Sequence, residues 1–249
     1  DASGGGASAI NDLSDAKTFG TASIMLGDAT TGTIDAANYN VGLGIDVFAA
    51  LTTGDNNTAI GYAALTANTT GIENVAVGAA ALDANTTGTH STAVGSNALS
   101  AATSAVNNVA IGAQAMSSTT GGSYNTTVGN DALKANTTAH YNVAIGQSAL
   151  NKNTTASNNT GIGSFALGAN TTGANNTAVG YQCLDANTTG HSAVAVGTAA
   201  LSSMTVGEGN VAIGMNALNA LTGTYHNNTA VGRDALKLST VNSSNVAIG

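Results

Sequence analysis

The apolar and polar positions of this chain repeat with a period of 17 residues. Each period contains a glycine that directly follows an aliphatic residue, and successive glycines of this kind are 17 positions apart, except for one step of 18. These repeat glycines are Gly27, Gly44, Gly61, Gly78, Gly95, Gly112, Gly129, Gly146, Gly163, Gly180, Gly197, Gly214, Gly232 and Gly249. A fixed period of this length is typical of a solenoid, in which each repeat forms one coil and stacks on its neighbours.

The three residues before each repeat glycine predict a short β-strand. In the repeat that reaches Gly78 they are Val75, Ala76 and Val77, and the first of the three is β-branched in every repeat. Stiff, branched side chains at alternate positions favour a strand. The glycine then ends the strand with a backbone conformation that other residues resist.

A second apolar column, mostly leucine, follows four residues after the repeat glycines from Gly44 to Gly232, as at Leu82. A polar segment comes next, often Asn-Thr-Thr-Gly as at residues 85–88, and a further asparagine such as Asn74 usually precedes the strand. Asparagine tolerates the left-handed region, so we interpret these segments as turns. The piece between glycine and turn is too short for a stable helix. The pattern therefore predicts an all-β fold, a parallel β-solenoid with 17-residue coils.

The repeats divide the chain into an N-terminal linker segment, residues 1–26, and a solenoid domain, residues 27–249, of about 13 coils. The extra residue of the 18-residue step is expected in the turn at residues 223–228, where it leaves the strand phase unchanged. The chain ends on a strand motif at Gly249. A bare terminal coil invites pairing, so we expect either further protein or a head-to-tail filament.

One coil contains few large apolar side chains: Val75, Val77 and Leu82 in the repeat of residues 74–90. We therefore expect additional burial through assembly. The alanine column at the strand centres, exemplified by Ala76, is the candidate surface, because small side chains let another backbone approach closely. The alternative is that this column is a tightly packed interior.

Charge and composition narrow the range of partners. Charged residues make up 7% of the chain and the net charge is −8, so binding to nucleic acid or to an anionic membrane surface is disfavoured. No apolar run is long enough for membrane insertion. The single cysteine, Cys183, excludes an intrachain disulfide and is expected to be a packed free thiol.

Titratable residues form no recognised catalytic or metal-binding pattern. The histidines all lie five or six residues before a repeat glycine, so they are expected along one edge of the stack, where a polar turn role is preferred over an ion site shared between three chains. Acidic residues near the leucine column lack a partner histidine or nucleophile, and the first two aspartates of the repeat region are too isolated for a calcium site. We therefore predict no enzyme activity, no cofactor, and no catalytic or metal-binding residue. The residues considered are His90, His140, His191, His226, Asp83, Asp131, Asp185, Asp234, Asp28 and Asp35.

Other polar and aromatic residues carry weaker signals. Four scattered tyrosines are weak candidates for sugar binding, and the basic residues are expected to serve solubility. Several Asn-x-Thr sequons are glycan acceptors only in a secretory setting, and we prefer to interpret their asparagines as turn residues. These groups are Tyr62, Tyr141, Tyr181 and Tyr225; Lys134, Lys152, Arg233 and Lys237; and Asn56, Asn68, Asn85, Asn136, Asn153, Asn170 and Asn187.

The strand motifs at residues 74–78, 108–112 and 142–146 resemble the head repeats of trimeric autotransporter adhesins of the YadA type. That resemblance implies a left-handed, trimeric β-roll displayed outside the cell for attachment. The repeats of that family are commonly shorter, and the Asn-Thr-Thr-Gly turn differs.

The longer unit at residues 175–190, together with the glycine-rich opening at residues 4–27, more closely resembles repeats of bacteriophage tail-fibre proteins. This resemblance implies a homotrimeric, non-catalytic fibre segment on a virion, which attaches to an unknown host receptor or glycan. A bacterial adhesin head or an extracellular filament subunit is the alternative. An ice-binding solenoid is a weaker one, because the threonine pairs lie in turns and are absent from several repeats.

Overall fold

The computed structural model describes residues 16–19, 23–27, 36–240 and 242–249. They form one fifteen-stranded sheet in which the strands follow each other in chain order. The strands are β1 (Ala16–Phe19), β2 (Ser23–Leu26), β3 (Val41–Leu43), β4 (Thr58–Ile60), β5 (Val75–Val77), β6 (Thr92–Val94), β7 (Val109–Ile111), β8 (Thr126–Val128), β9 (Val143–Ile145), β10 (Thr160–Ile162), β11 (Thr177–Val179), β12 (Val194–Val196), β13 (Val211–Ile213), β14 (Thr229–Val231) and β15 (Val246–Ile248). No helix occurs among these residues, so the predicted all-β parallel solenoid is confirmed.

Equivalent residues of successive coils are direct neighbours in the sheet. β1 pairs with β2 in antiparallel orientation, and β2 then pairs with β3 in parallel, as do all later neighbours, for example Val75 with Thr92. The 18-residue step leaves this register intact, since Val211 still pairs with Thr229. Gly223, in the intervening turn, has a φ of 79°. The turn therefore absorbs the extra residue, as predicted.

The alanine column lies inside the coil. Ala76 is fully buried, as is the leucine column up to Leu218, whereas Val75 and Val77 are half-buried and point outward. A methyl group on Gly161, at the centre of β10, would lie 3.3 Å from Cγ of Leu150, so strand centres face the leucines across a narrow interior. The hypothesis that the alanine side is the assembly surface is wrong, and the alternative, a tight interior, is confirmed.

At one end of the stack, two side chains that are larger than usual pack around a glycine, which has no side chain. Met25 and Phe48 occupy positions that are usually alanine and leucine, and both are fully buried. Gly42 takes the strand-centre position between them, and a Cβ there would lie 3.1 Å from the Met25 side chain and 3.2 Å from that of Phe48. The interior therefore keeps close packing by exchanging volume between adjacent coils.

Buried asparagines form a ladder at the start of the strands. Each Oδ1 accepts the backbone N–H of the equivalent residue in the next coil, as in the 2.8 Å bond from Asn57 N to Asn40 Oδ1. Each Nδ2 donates across the coil to a carbonyl 14 residues further on, as from Asn57 to Gly71 O at 2.9 Å, or 15 further on from Asn210, whose coil has the extra residue. This strand-entry ladder comprises Asn40, Asn57, Asn74, Asn108, Asn125, Asn142, Asn159, Asn176, Asn210 and Asn228, with Ser91 and Ala193 in the remaining coils.

A second ladder is built from the first residue of the Asn-Thr-Thr-Gly segments. Asn85 is fully buried, and its Nδ2 donates to Asn68 Oδ1 at 3.0 Å and to Gly88 O at 3.2 Å. The segments are turns, as predicted, and Asn85 Oδ1 accepts the Gly88 N–H at 3.1 Å, but neither asparagine has the left-handed φ that was expected. The ladder stops where Met204 replaces asparagine, and Asn187 Oδ1 is left without a donor among the described residues.

The left-handed conformations occur at other corners of the coil. In the repeat of residues 74–90 they are at Ala80 (φ 54°), Leu82 (φ 51°) and His90 (φ 57°). Such a conformation costs a non-glycine residue roughly 1–2 kcal/mol. Each of these residues donates its N–H to a neighbouring coil, with bonds of 2.8, 3.0 and 3.1 Å to Tyr62 O, Ala98 O and Ile72 O. The strained corners therefore join each coil to both of its neighbours.

Candidate functional site

The outer face of the strands is an extended apolar surface of the described chain. It consists of the residues three positions and one position before each repeat glycine, from Ile24 and Leu26 to Val246 and Ile248, and we name it the outer strip. All its members are valine, isoleucine, leucine or threonine, so it contains no charge. Several are markedly exposed, including Leu43 at 49% and Ile213 at 41%. Continuous apolar patches of this kind mark interaction surfaces.

Two properties of the coil direct the outer strip to solvent. A strand of three residues places its centre on one face and its two ends on the other, and the alanine at the centre faces the interior. The residues before the strip are mostly polar, but Tyr124 and Tyr141 stack there with ring centroids 5.2 Å apart. The residues that follow the repeat glycines are mixed and include the exposed Ile45, Tyr62 and Tyr181. The result is an apolar band with a rim of mixed character.

The histidines lie at the corner before the strand and bind groups of adjacent coils. Nε2 of His90 is 3.0 Å from a carboxylate oxygen of Glu73, and Nε2 of His191 is 2.9 Å from one of Glu208. His140 accepts a hydrogen bond at Nδ1 from the Ser123 N–H, 3.0 Å away. No group of three histidine, cysteine, aspartate or glutamate residues suited to a metal ion occurs within the described ranges.

The aspartates considered as catalytic candidates are about three coils apart from one another along the chain, so the structure does not pair them. Asp131 binds Lys134 at 3.0 Å, and Asp234 binds Lys237 at 3.1 Å. Hydrogen bonds from the Asn216 side chain and then from Lys237 hold the pKa of Asp234 below its usual value. Asp28 and Asp35 lie outside the described residues.

Asp83 and Asp185 occupy the same position in their coils, directly after the leucine column. Burial raises the pKa of both carboxyl groups, against the opposing effect of hydrogen bonds from their own backbone and from the next residue. Partial removal from water at this corner makes these carboxylates stronger hydrogen-bond acceptors for a ligand than fully hydrated ones.

The sequons divide into buried and exposed sets. Asn56 is exposed at a corner with a φ of 59°. The other six sequon asparagines named above are fully buried and belong to the second ladder. A glycan on any of these six would not fit inside the coil, which supports a structural role for the motif.

Cys183 is a buried thiol whose Sγ donates to Ala195 O at 3.2 Å. Burial, with a smaller contribution from the Asp185 carboxylate, raises its pKa to about 12. The unfolded state releases this proton from about pH 8.5 upward, whereas the folded state keeps it. Above that pH the folded state binds more protons, so the thiol lowers stability as pH rises, by about 1.4 kcal/mol per unit.

We expect Cys183 to be unreactive toward a thiol reagent such as dithionitrobenzoate at pH 8 until the chain unfolds, because the thiolate is the reactive form. Denaturant unfolding of the wild type and of Cys183→Ala between pH 8 and pH 11 measures the proton linkage. The difference between the two proteins removes the background from tyrosine titration. Rapid labelling of the native protein, or an identical pH dependence of the two, would contradict the assignment.

The surface formed by the turns is not smooth. A depression of about 360 Å³ lies between Gln114 and Lys134 and has an all-polar lining, and a second depression, which we name the notch, lies three coils further on. The notch has a volume of about 390 Å³ and spans three coils, between Phe165 and Gln182 on one side and Asn151 and Asp185 on the other. Gly168 widens it, since most other coils carry a Ser, Asp, Asn, Lys, Thr or Ala side chain at the same position. This site was not predicted from the sequence, because no single residue of its lining suggests a cavity.

The chain matches no protein-family model, no curated protein and no solved structure. Within the described ranges, no helix has the length and apolar character needed to cross a bilayer.

Proposed function

We propose that this protein is a non-catalytic structural module of an extracellular attachment fibre, and that its chains associate through the outer strip. The observation that carries the proposal is an uncharged apolar band that runs along the whole stack of β2 to β15. The sequence resemblance to phage tail-fibre repeats supports a location on a virion, where the partner is a host surface.

A second copy of the chain is the partner that best fits the strip. Strands along the stack repeat about every 4.8 Å, so two strips present ridges and grooves of the same spacing over their full length. Three copies around a threefold axis bury all strips equivalently and close the assembly. The resemblance to trimeric adhesins favours this number. The assembly surface is thus the β-branched face, in place of the alanine face expected from sequence.

We expect the wild type at micromolar concentration to have three times the chain mass of 24.0 kDa. The double variant Ile111→Lys, Ile145→Lys is expected to be monomeric, because it places charges on side chains that are each 38% exposed in one chain and buried in the assembly. Light scattering after size-exclusion chromatography measures the mass, and circular dichroism checks the fold.

Ser202→Lys is the matched control for charge. Ser202 stands five residues after its repeat glycine, a position that holds Lys134 and Lys237 in other coils, and it lies away from the outer strip. This variant should assemble like the wild type. A monomeric wild type, or a double variant that keeps the wild-type mass, would refute assembly through the strip.

The biological role is tested separately from assembly. Neighbouring genes for baseplate and tail proteins support a phage fibre, whereas a membrane anchor encoded in the same reading frame supports the alternative, a cell-surface adhesin head. Antibodies against the repeat domain should label fibres or the cell surface in electron micrographs. Labelling confined to the cell interior would contradict an attachment role.

A further inference from the structure

The notch around Gly168 differs from the depression at Gln114 in its chemistry, because its lining includes an aromatic side chain, whereas the other is lined by polar side chains alone. Its volume of about 390 Å³ lies within the range of small-molecule sites, roughly 300–1,000 Å³. It is lined by Ser148, Asn151, Lys152, Phe165, Gln182 and Asp185. None of these residues belongs to the outer strip, so the notch remains accessible when chains assemble through that strip.

Two departures from the repeat coincide at this place. Gly168 removes a side chain from the position five residues after the repeat glycine, and Phe165 is the aromatic residue at the position two after it, where other coils carry small or polar side chains. The backbone around them is regular: Phe165 N–H donates to Gln147 O at 3.0 Å, and Gly168 N–H donates to Phe165 O at 3.1 Å. The notch is therefore a difference in side chains on an unchanged backbone.

The lining combines an apolar ring with paired donors and acceptors. Phe165 is 39% exposed, which leaves part of its ring free to contact an apolar face of a ligand. Asn151 and Gln182 each offer an amide donor and acceptor, Asp185 offers acceptors, and Lys152 offers donors. Alternating donors and acceptors around an aromatic ring suit a ring-shaped polyol, whose hydroxyl groups both donate and accept.

Other ligand classes fit less well. A phosphate group needs several cationic or backbone donors, whereas this site has one lysine and a carboxylate in a chain of net charge −8. A lipid tail needs a mainly apolar lining, and here the aromatic ring is the one large apolar side chain.

We propose that the notch binds one sugar residue of a surface glycan, with Phe165 as its stacking platform and Asn151, Gln182 and Asp185 as its hydrogen-bonding groups. The biological meaning of this site rests on the proposed attachment function. Sugar binding itself is measured independently of assembly.

The test is saturation-transfer NMR and titration calorimetry of the full chain with methyl glycosides of the common hexoses, 6-deoxyhexoses and N-acetylhexosamines. At least one glycoside is expected to bind with a dissociation constant in the millimolar range. Gly168→Asn should weaken it at least tenfold by filling the notch, and Phe165→Ala should weaken it similarly by removing the ring.

Asparagine at position 168 should be compatible with the fold, since Asn151 and Asn219 hold the equivalent position in other coils. Ser202→Asn introduces the same side chain in the same column two coils away from Gly168, and it should leave sugar binding unchanged. Absence of binding by all glycosides, or equal binding by wild type and Gly168→Asn, would overturn the proposal. Preferential binding of free glutamate or lysine would overturn it as well. A wild type that binds sugar but stays monomeric would refute the assembly proposal and leave the sugar site intact.

Discussion

Replacing Gly112 with alanine is expected to lower the free energy of unfolding by roughly 3–5 kcal/mol. Gly112 has a φ of 133°, and a Cβ there would lie 2.4 Å from the carbonyl oxygen of Gly129 and 2.5 Å from its carbonyl carbon. Such a φ is accessible to glycine and strained for every other residue. Both the conformation and the contact therefore oppose the side chain.

The stack cannot easily relax around such a change, because the obstructing atoms are backbone. Gly95 meets Gly112 in the same way, at 2.5 Å, so a shift that relieves one contact tightens the next. The glycine that closes the Asn-Thr-Thr-Gly segments differs in its backbone: its φ is not left-handed, and Ala105 and Ala139 hold its position in other coils, although a Cβ at Gly88 would also lie 2.4 Å from Ala105 O. Gly88→Ala should therefore cost less than Gly112→Ala, since only the contact opposes it.

Thermal and urea unfolding followed by circular dichroism measure this effect. Gly121→Ala is the matched control, since a Cβ there meets no atom within 4 Å and its φ is not left-handed. We expect that control to change stability by no more than about 0.5 kcal/mol. Equal unfolding midpoints for Gly112→Ala and Gly121→Ala would show that the close approach of the glycine backbones is not a constraint.

Removing one rung of the strand-entry ladder has the second largest expected effect. Asn142 Oδ1 accepts the Asn159 N–H at 2.9 Å, and its Nδ2 donates to Ala156 O at 3.0 Å. Asn142→Ala leaves that N–H and that carbonyl without partners in a buried site, and each such group costs about 1–3 kcal/mol. A loss of roughly 2–4 kcal/mol is expected.

Serine should have an intermediate effect at this position. Ser91 holds the ladder position in another coil, and its Oγ still accepts the Asn108 N–H at 3.3 Å. Asn130→Ala is the control, because Asn130 is exposed and its side chain makes one bond, to Ala113 O, at the surface. The expected order of destabilisation is Asn142→Ala, then Asn142→Ser, then Asn130→Ala. A different order would mean that the ladder contributes no net stability.

Much of the fold follows from local rules that a sequence displays directly. The β-branched residue at the start of each strand and the glycine at its end specify where strands lie, since both act through the residue's own backbone and χ1 preferences. The constant spacing specifies that coils stack in register. The extra residue near Gly223 could be placed because a polar turn tolerates insertion and a paired strand does not.

The candidate surfaces could not be predicted in the same way. The notch depends on Gly168 and Phe165 acting together with Asp185 in the next coil, and no single residue of the three suggests a cavity. The sequence showed the columns of the outer strip, but the alanine face was expected to be the exposed assembly surface, and the structure exposes the outer strip instead. Both errors concern relations between side chains across the coil.

By itself, the sequence determined the period, the positions of the strands and the glycine corners, because each depends on short-range sterics. Only the tertiary structure decided which strand face is the interior. Alternation shows that Ala76 and Val77 point in opposite directions, but not which of them points inward. That choice depends on how the left-handed corners at residues such as Ala80 and Leu82 close the coil, and on the small volume left opposite the leucines, which accepts alanine and excludes valine.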